Sequence, residues 1–349
     1  MFYGLRGVGK TVLLTTIRNH AEAEGLVVVA MEAPENRSLP AMLVPALRAA
    51  LLKMDRIKQV GTKIRCALSA LAGFVKPRVS YEGFEVALDF EVEPGLADSG
   101  DLESDLADLI RAAGEAAQEH GTAFVLAIDE LQYVPEEELA ALISALHRAN
   151  QLQLPITLVG AGLPQLLGQM GRAKSYAERL FAFVPLGPLD RAGSDDAIRV
   201  PLQAEGADIT EGALAAIFAA TQGYPYFLQE WGKHSWDLAD ESPIDESDVD
   251  NAGVAALAEL DASFFRVRFD RLSPAEKRYM RAMAGLGGKA GEGPHRSGDI
   301  AEALGVKVNT VAPTRNSLIR KGMLYSPAHG DTAFTVPLFG AFMRRAMKA

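Results

Sequence analysis

The chain has 349 residues, 48% of them apolar, which is long enough for two or three domains around sizeable cores. A single cysteine, Cys66, excludes an intramolecular disulfide framework; no apolar run approaches the ~18 residues of a membrane span and no basic-then-apolar leader opens the chain, so a cytoplasmic protein with no membrane partner is expected. The formal net charge of -10 argues against general nucleic-acid affinity, yet from Arg271 onward 13 Lys/Arg stand against 5 Asp/Glu, so a nucleic-acid-facing tail and a solvated basic domain docked on an acidic one are equal readings.

Phe2-Tyr3 reads as the end of a strand. It runs into Gly4-Leu5-Arg6-Gly7-Val8-Gly9-Lys10-Thr11, which fits G-x-x-x-x-G-K-[ST]. Glycines at this spacing let successive backbone N–H groups turn inward around phosphates. Lys10 would reach the β- and γ-phosphates of ATP, and Thr11 would offer its hydroxyl to Mg²⁺. Gly4, Arg6, Gly7, Val8, Gly9, Lys10, Thr11 and Val12 are therefore the candidate nucleotide contacts, at the positive end of a helix running to about Ala23. Only three residues precede the loop where a full strand is needed, which reads as a chain cut at its N-terminus or begun at an internal methionine.

A short β-branched run at 26–31 predicts a buried parallel strand. Helices are predicted at 39–54 and 64–74. Residues 78–93 alternate apolar and polar with a turn signal at Glu82-Gly83, a hairpin inserted at the sheet edge. Residues 101–120 predict an amphipathic helix with acidic first turns. The apolar strand 123–128 then ends in Asp129-Glu130. A helix at 135–150, a strand at 155–160, a helix at 173–180 and a strand at 181–186 follow. Strands alternating with helices predict an α/β fold, a P-loop αβα sandwich with a parallel sheet over residues 1–190. From there the strands stop: helices at 192–203, 210–221, 224–239 and 246–260 predict an all-α lid over 191–262. Trp231, Trp236, Tyr224, Tyr226 and Phe227 crowd one of these helices and read as core.

Residues 263–349 predict a winged helix. Ser273-Pro274-Ala275-Glu276 has the pattern of a capped helix start, with Gly287-Gly288 as its stop. A short helix at 300–304, a turn at Gly305 and a helix to Lys321 make a helix-turn-helix. Pro313 is tolerable only in the first turn of that helix. Residues 323–325 and 333–336, joined through His329-Gly330-Asp331, form the wing, and 339–347 the last helix. As a reader of double-stranded DNA the second helix would present Asn309, Thr310, Thr314, Arg315 and Asn316 to a groove, with Arg320, Lys321 and Arg296 on phosphates. The alternative is a module docking a protein partner.

At the nucleotide, Asp129 would hold Mg²⁺ through water and Glu130 would position and activate the attacking water. Arg179 stands where a cation could stabilise the γ-phosphate, in cis or from a neighbouring subunit of a homo-oligomer. It reads equally as a surface arginine paired with Glu178 or Glu130. The six histidines show no His-Glu-x-x-His pair and no Cys-His cluster, so no structural zinc is expected.

The order of phosphate loop, Asp129-Glu130, a strand ending at Gly160, Arg179 and a helical lid resembles AAA+ ATPases. Gly223-Tyr224-Pro225 resembles the Gly-x-Pro element of their STAND and archaeal-type branch, which implies Pro225 beside adenine. Residues 160–165 and 173–181 resemble a group of bacterial AAA ATPases in which a winged helix follows, a layout shared with replication-initiator ATPases. The resemblance implies an ATP- and Mg²⁺-dependent hydrolase, with Glu130, Lys10 and Arg179 as catalytic residues, acting as a nucleotide-dependent switch. The alternative is a DNA-binding regulator that binds ATP with little or no hydrolysis. Two departures favour binding over efficient turnover: Val159-Gly160-Ala161 lacks the polar residue usual at that strand end, and no arginine follows Pro225 in the lid, Lys233 being the nearest cation.

Overall fold

A computed structural model describes residues 1–33, 35, 37–57, 62–75, 96–286, 293–328 and 330–347. The expected hairpin at 78–93, the stop at Gly287-Gly288 and His329 of the wing turn lie outside them. The chain divides into two compact units, residues 1–3 with 10–185, and residues 4–9 with 186–349. Among the described residues no helix is long and apolar enough to cross a membrane.

The first unit is a five-stranded parallel sheet between helices. Its elements are β1 (Phe2–Tyr3), α1 (Lys10–Ala23), β2 (Val27–Glu32), α2 (Leu39–Ile57), α3 (Thr62–Val75), α4 (Leu102–Glu119), β3 (Phe124–Asp129), α5 (Glu136–Gln151), β4 (Ile156–Gly162), α6 (Gln165–Ala173), α7 (Ala177–Leu180) and β5 (Val184–Pro185). The strand order is β2-β3-β4-β1-β5. Every residue of β3 is buried, because helices cover both faces of a parallel sheet and the strand is apolar throughout rather than alternating. Val27 pairs with Phe124 and the register runs to Glu32 opposite Asp129, so both carboxylates stand at the carboxyl edge of the sheet. At the start of α4 the Asp101 side chain accepts the Ser104 N–H at 2.8 Å and caps the helix.

Two sequence expectations change here. The single helix at 173–180 is instead the end of α6 and α7, separated by residues 174–176, of which Lys174 is extended (φ -148°, ψ 124°) with its Nζ bonded to Glu103 at 2.9 Å. Gly168 and Gly171 lower the local helix propensity, which is why α6 reads as loop in the sequence. The strand at 181–186 shrinks to Val184–Pro185, since Pro185 brings no N–H to a ladder.

The second unit holds α8 (Arg191–Ala204), α9 (Glu211–Thr221), α10 (Pro225–Leu238) and α11 (Glu246–Leu260). The last begins with a capping box between Asp245 and Asp248. The helix continues through a wide π turn, Asp261–Phe265, into α12 (Arg266–Asp270). The π turn brings Phe265 fully inside, with ring centroids 6.3 Å from Phe227, 5.8 Å from Phe339 and 5.3 Å from Phe342. One apolar core therefore runs from Ile198 to Met343. Truncating its central ring, Phe265→Ala, is expected to cost about 3–5 kcal/mol, read as a lowered urea midpoint. A loss under about 1 kcal/mol would mean that the two ends of this core fold independently.

The remainder is α13 (Pro274–Leu286), β6 (His295–Arg296), α14 (Ser297–Ala303), α15 (Val308–Arg320), β7 (Leu324–Tyr325), β8 (Asp331–Phe334) and α16 (Phe339–Ala346), with the three strands antiparallel in the order β6-β8-β7. This is a helix-turn-helix, turned at Gly305 (φ 67°), followed by a wing. The sequence reading missed β6, which is two residues long. Pro313 lies not in the first turn of α15 but at its sixth residue. It is tolerated because it sits on the exposed face, where Asn309, one turn earlier, is also exposed and water can take the freed carbonyl.

Candidate functional site

In the first unit the site forms at the carboxyl ends of the strands, where ligands of open α/β sheets bind. Strand β4 lies between β1, which leads into the glycine loop, and β3, which carries the acidic pair. Lys10 opens α1 and is buried, and no acidic side chain occupies the helix's first turn. The positive end of the helix is thus left for an anion. The Thr11 hydroxyl donates to Asp129 Oδ2 at 2.5 Å. Asp129 is buried, and its other oxygen accepts the Glu130 N–H at 2.8 Å. A hydroxyl and a carboxylate meeting in this way are the hard oxygen donors Mg²⁺ takes, so the residues fit that ion. Beside them is a cavity of about 260 Å³ lined by Thr11, Thr15, Arg18, Glu32, Ala127 and Asp129.

Glu130 has a left-handed backbone (φ 52°) at the head of a short 3₁₀ turn, Leu131–Tyr133. A non-glycine residue there is strained, and such strain concentrates at functional sites. Its carboxylate accepts a hydrogen bond from Gln132 Nε2, and Gln132 Oε1 accepts the Leu163 N–H at 2.9 Å. Gln132 is buried and so ties Glu130 to the end of β4. A Cβ on Gly162 would come within 2.8 Å of Gln132 Oε1, so only glycine leaves room for that bridge. Sequence reasoning missed Gln132, since one amide two residues past an acidic pair carries no pattern. Arg179, on α7, and Val12 are exposed.

In the second unit, Gly4 to Gly9 pack among residues 186–349. Gly7 has φ 85° and accepts the Tyr226 N–H at 3.2 Å. The N–H of Arg6 donates to Thr335 O at 3.0 Å, and its Nε reaches Gly322 O at 3.4 Å. Arg6, expected near phosphate, therefore lies against the turn before the wing. Val8 is buried in the core of this unit. Pro225 is the first residue of α10, as its missing N–H and fixed φ favour.

On α15, Asn309, Thr310, Asn316 and Arg320 are exposed, and so is Arg296 on β6. Two side chains expected on DNA are engaged inside the fold. Arg315 donates to Thr332 Oγ1, Ser326 Oγ and the Asp331 carbonyl, each at 2.8 Å, and so ties the helix to the wing. Lys321 Nζ lies 2.7 Å from the buried carboxylate of Glu276. Arg315→Ala is expected to loosen the wing at a cost of about 1–3 kcal/mol, seen as faster amide exchange across β7 and β8. Exchange unchanged from the parent chain would refute that bracing role.

Residues 1–159 match the AAA ATPase domain family, and residues 262–343 match a domain of unknown function, DUF8462. No curated protein matches the chain. Three solved structures are similar. The RuvB Holliday junction branch migration motor of Thermotoga maritima is 16% identical, with 100% of this chain and 87% of that one covered, at a TM-score of 0.45. The Orc1 protein of Aeropyrum pernix in complex with DNA is 14% identical, with 99% and 85% covered, at 0.45. Cdc6p of Pyrobaculum aerophilum is 15% identical, with 99% and 86% covered, at 0.44.

Proposed function

We propose, for a chain whose residues 1–159 match the AAA ATPase domain family, a nucleotide-dependent switch: ATP binding and hydrolysis in residues 1–190, a lid over 191–262, and a winged helix over 263–349 that engages DNA or a protein partner. The observation that carries this reading is the Thr11–Asp129 contact, which brings the end of the glycine motif and the acidic pair together across 118 residues of sequence. In this reading Thr11 and Asp129 hold Mg²⁺, which neutralises charge on the phosphates. Lys10 binds the β- and γ-phosphates, Glu130 orients the attacking water and accepts its proton, and Arg179 acts from its own or a neighbouring subunit. Gly4, Gly7, Val8, Gly9, Val12 and Pro225 complete the nucleotide contacts.

The test is steady-state phosphate release from the parent chain, Lys10→Ala and Glu130→Gln. A hydrolase requires both variants to lose most of the rate; equal release from all three would end the reading. Gln132→Ala should lower turnover on the order of tenfold with unchanged nucleotide affinity, because Glu130 loses its orienting partner.

The second reading is a DNA-binding regulator that binds ATP with little turnover: the bond from Gln132 then withholds the Glu130 carboxylate from water, and Gln132→Ala would raise phosphate release instead of lowering it. For either reading the exposed Asn309, Thr310 and Arg320 are the proposed DNA contacts, with Arg315 and Lys321 behind them as supports. Duplex titrations at several salt concentrations test this: Arg320→Ala should weaken binding across sequences and reduce the salt slope by about 1. No binding at low salt would leave a protein partner as the reading.

A further inference from the structure

Glu230 and His234 stand one turn apart on the same face of α10. Glu259, in the last turn of α11, packs against that face. One donor atom from each of the three lies within 4.8 Å of the other two, and His234 Nε2 is 2.9 Å from Glu259 Oε2. A second feature points to a missing partner. Glu230 Oε2 is sealed from solvent and has no hydrogen-bond partner among the described residues. A buried carboxylate oxygen left unsatisfied costs free energy on the order of 1–3 kcal/mol, so such atoms are rare without something to satisfy them. Lys233, on an exposed side chain, places its Nζ 3.3 Å and 3.2 Å from the two Glu259 oxygens, a pair that an ion would displace.

We propose that Glu230, His234 and Glu259 form a binding site for a borderline divalent cation, Zn²⁺ in the first place, that staples α10 to α11. One imidazole nitrogen, two carboxylate oxygens and a water make a tetrahedral set. With metal–ligand distances of about 2.0–2.2 Å, neighbouring donors sit roughly 3.3–3.5 Å apart, so the present 2.9 Å gap needs to open by only a few tenths of an ångström. On binding, the Nε2 proton leaves to solvent or passes to Nδ1, freeing the nitrogen lone pair. The sequence pattern does not announce this site, because two ligands share a Glu-x-x-x-His spacing and the third lies 25 residues on.

The experiment uses the full chain without nucleotide, in excess Mg²⁺ to occupy hard-oxygen sites. Zn²⁺ is titrated calorimetrically, and Co²⁺ by the visible absorption of tetrahedral cobalt. One ion per chain is expected, removable by a chelator. His234→Ala and Glu259→Gln should each weaken binding by at least about tenfold, while Lys233→Ala leaves it unchanged or tightens it. Glu259 is exposed, so that variant carries the test if His234→Ala fails to fold by far-ultraviolet circular dichroism. Equal Zn²⁺ affinity in the parent chain and Glu259→Gln, or no tetrahedral cobalt spectrum, overturns the proposal.

Discussion

Lys321→Ala is expected to destabilise the second unit by about 3–5 kcal/mol, because it leaves a buried carboxylate without its cation. Glu276 is only 4% exposed. Its oxygens receive the Lys321 ammonium at 2.7 Å, the Ser273 N–H at 2.7 Å and the Ser317 hydroxyl at 2.8 Å. Burial by itself would raise the pKa of this carboxyl; the bonds from Lys321, Ser273 and Ser317 overcome it and hold the group at about 2. A folded-state pKa below the unfolded one gives stability that is full above about pH 4.5 and is lost as pH falls toward 2. The shift corresponds to about 3 kcal/mol. Urea unfolding at pH 7 and pH 3 measures both effects. The parent chain should lose part of its stability between the two, and Lys321→Ala should start lower and change less, since its Glu276 no longer has a strongly depressed pKa to lose. A variant within 1 kcal/mol of the parent at pH 7 would show that the serine and backbone donors alone satisfy the carboxylate.

That ion pair marks the limit of what sequence can say. Most elements are legible because their cause is local. Asp101, Thr210 and Asp245 cap the helices they precede, and the unbroken apolar run of β3 requires a strand covered on both faces. Thr11 and Asp129 are legible as a pair because two short motifs each name half of one phosphate and metal chemistry. What escapes depends on contacts far apart in the chain. Nothing near Lys321 indicates that its charge is used internally by Glu276, 45 residues earlier, nor near Arg315 that the wing will fold back onto it. The exposed Pro313 and the π turn at Asp261–Phe265 are misread for a related reason. A local rule, proline or periodicity, is overridden where solvent or a buried ring satisfies what the rule protects. The metal-ligating trio on α10 and α11 falls in the same class, since only helix packing brings Glu259 to His234.

Asp129→Asn separates function from folding at the nucleotide site by moving the two in opposite directions. The substitution keeps size and one oxygen to accept the Glu130 N–H, now at 2.8 Å, while its amide nitrogen can donate to the Thr11 hydroxyl, now at 2.5 Å; it removes the charge that would hold a divalent cation. If Asp129 and Thr11 take Mg²⁺ with ATP, turnover should fall on the order of 10²–10³-fold, the usual size of the loss when one preorganised electrostatic group is removed. ATP binding without Mg²⁺ should change little. The nucleotide-free chain should be as stable as the parent or more so, because a buried carboxylate carries a desolvation cost that its hydroxyl and N–H partners only partly offset. Thermal unfolding with and without Mg²⁺-ATP reads both signs. The parent should gain stability from the complex by mass action, and the variant should gain little. A variant that loses stability without nucleotide yet keeps its Mg²⁺-dependent turnover would make Asp129 a structural pin for α1, and would move the cation to other oxygens at the sheet edge, of which Glu32, opposite it in the β2–β3 register, is the nearest candidate.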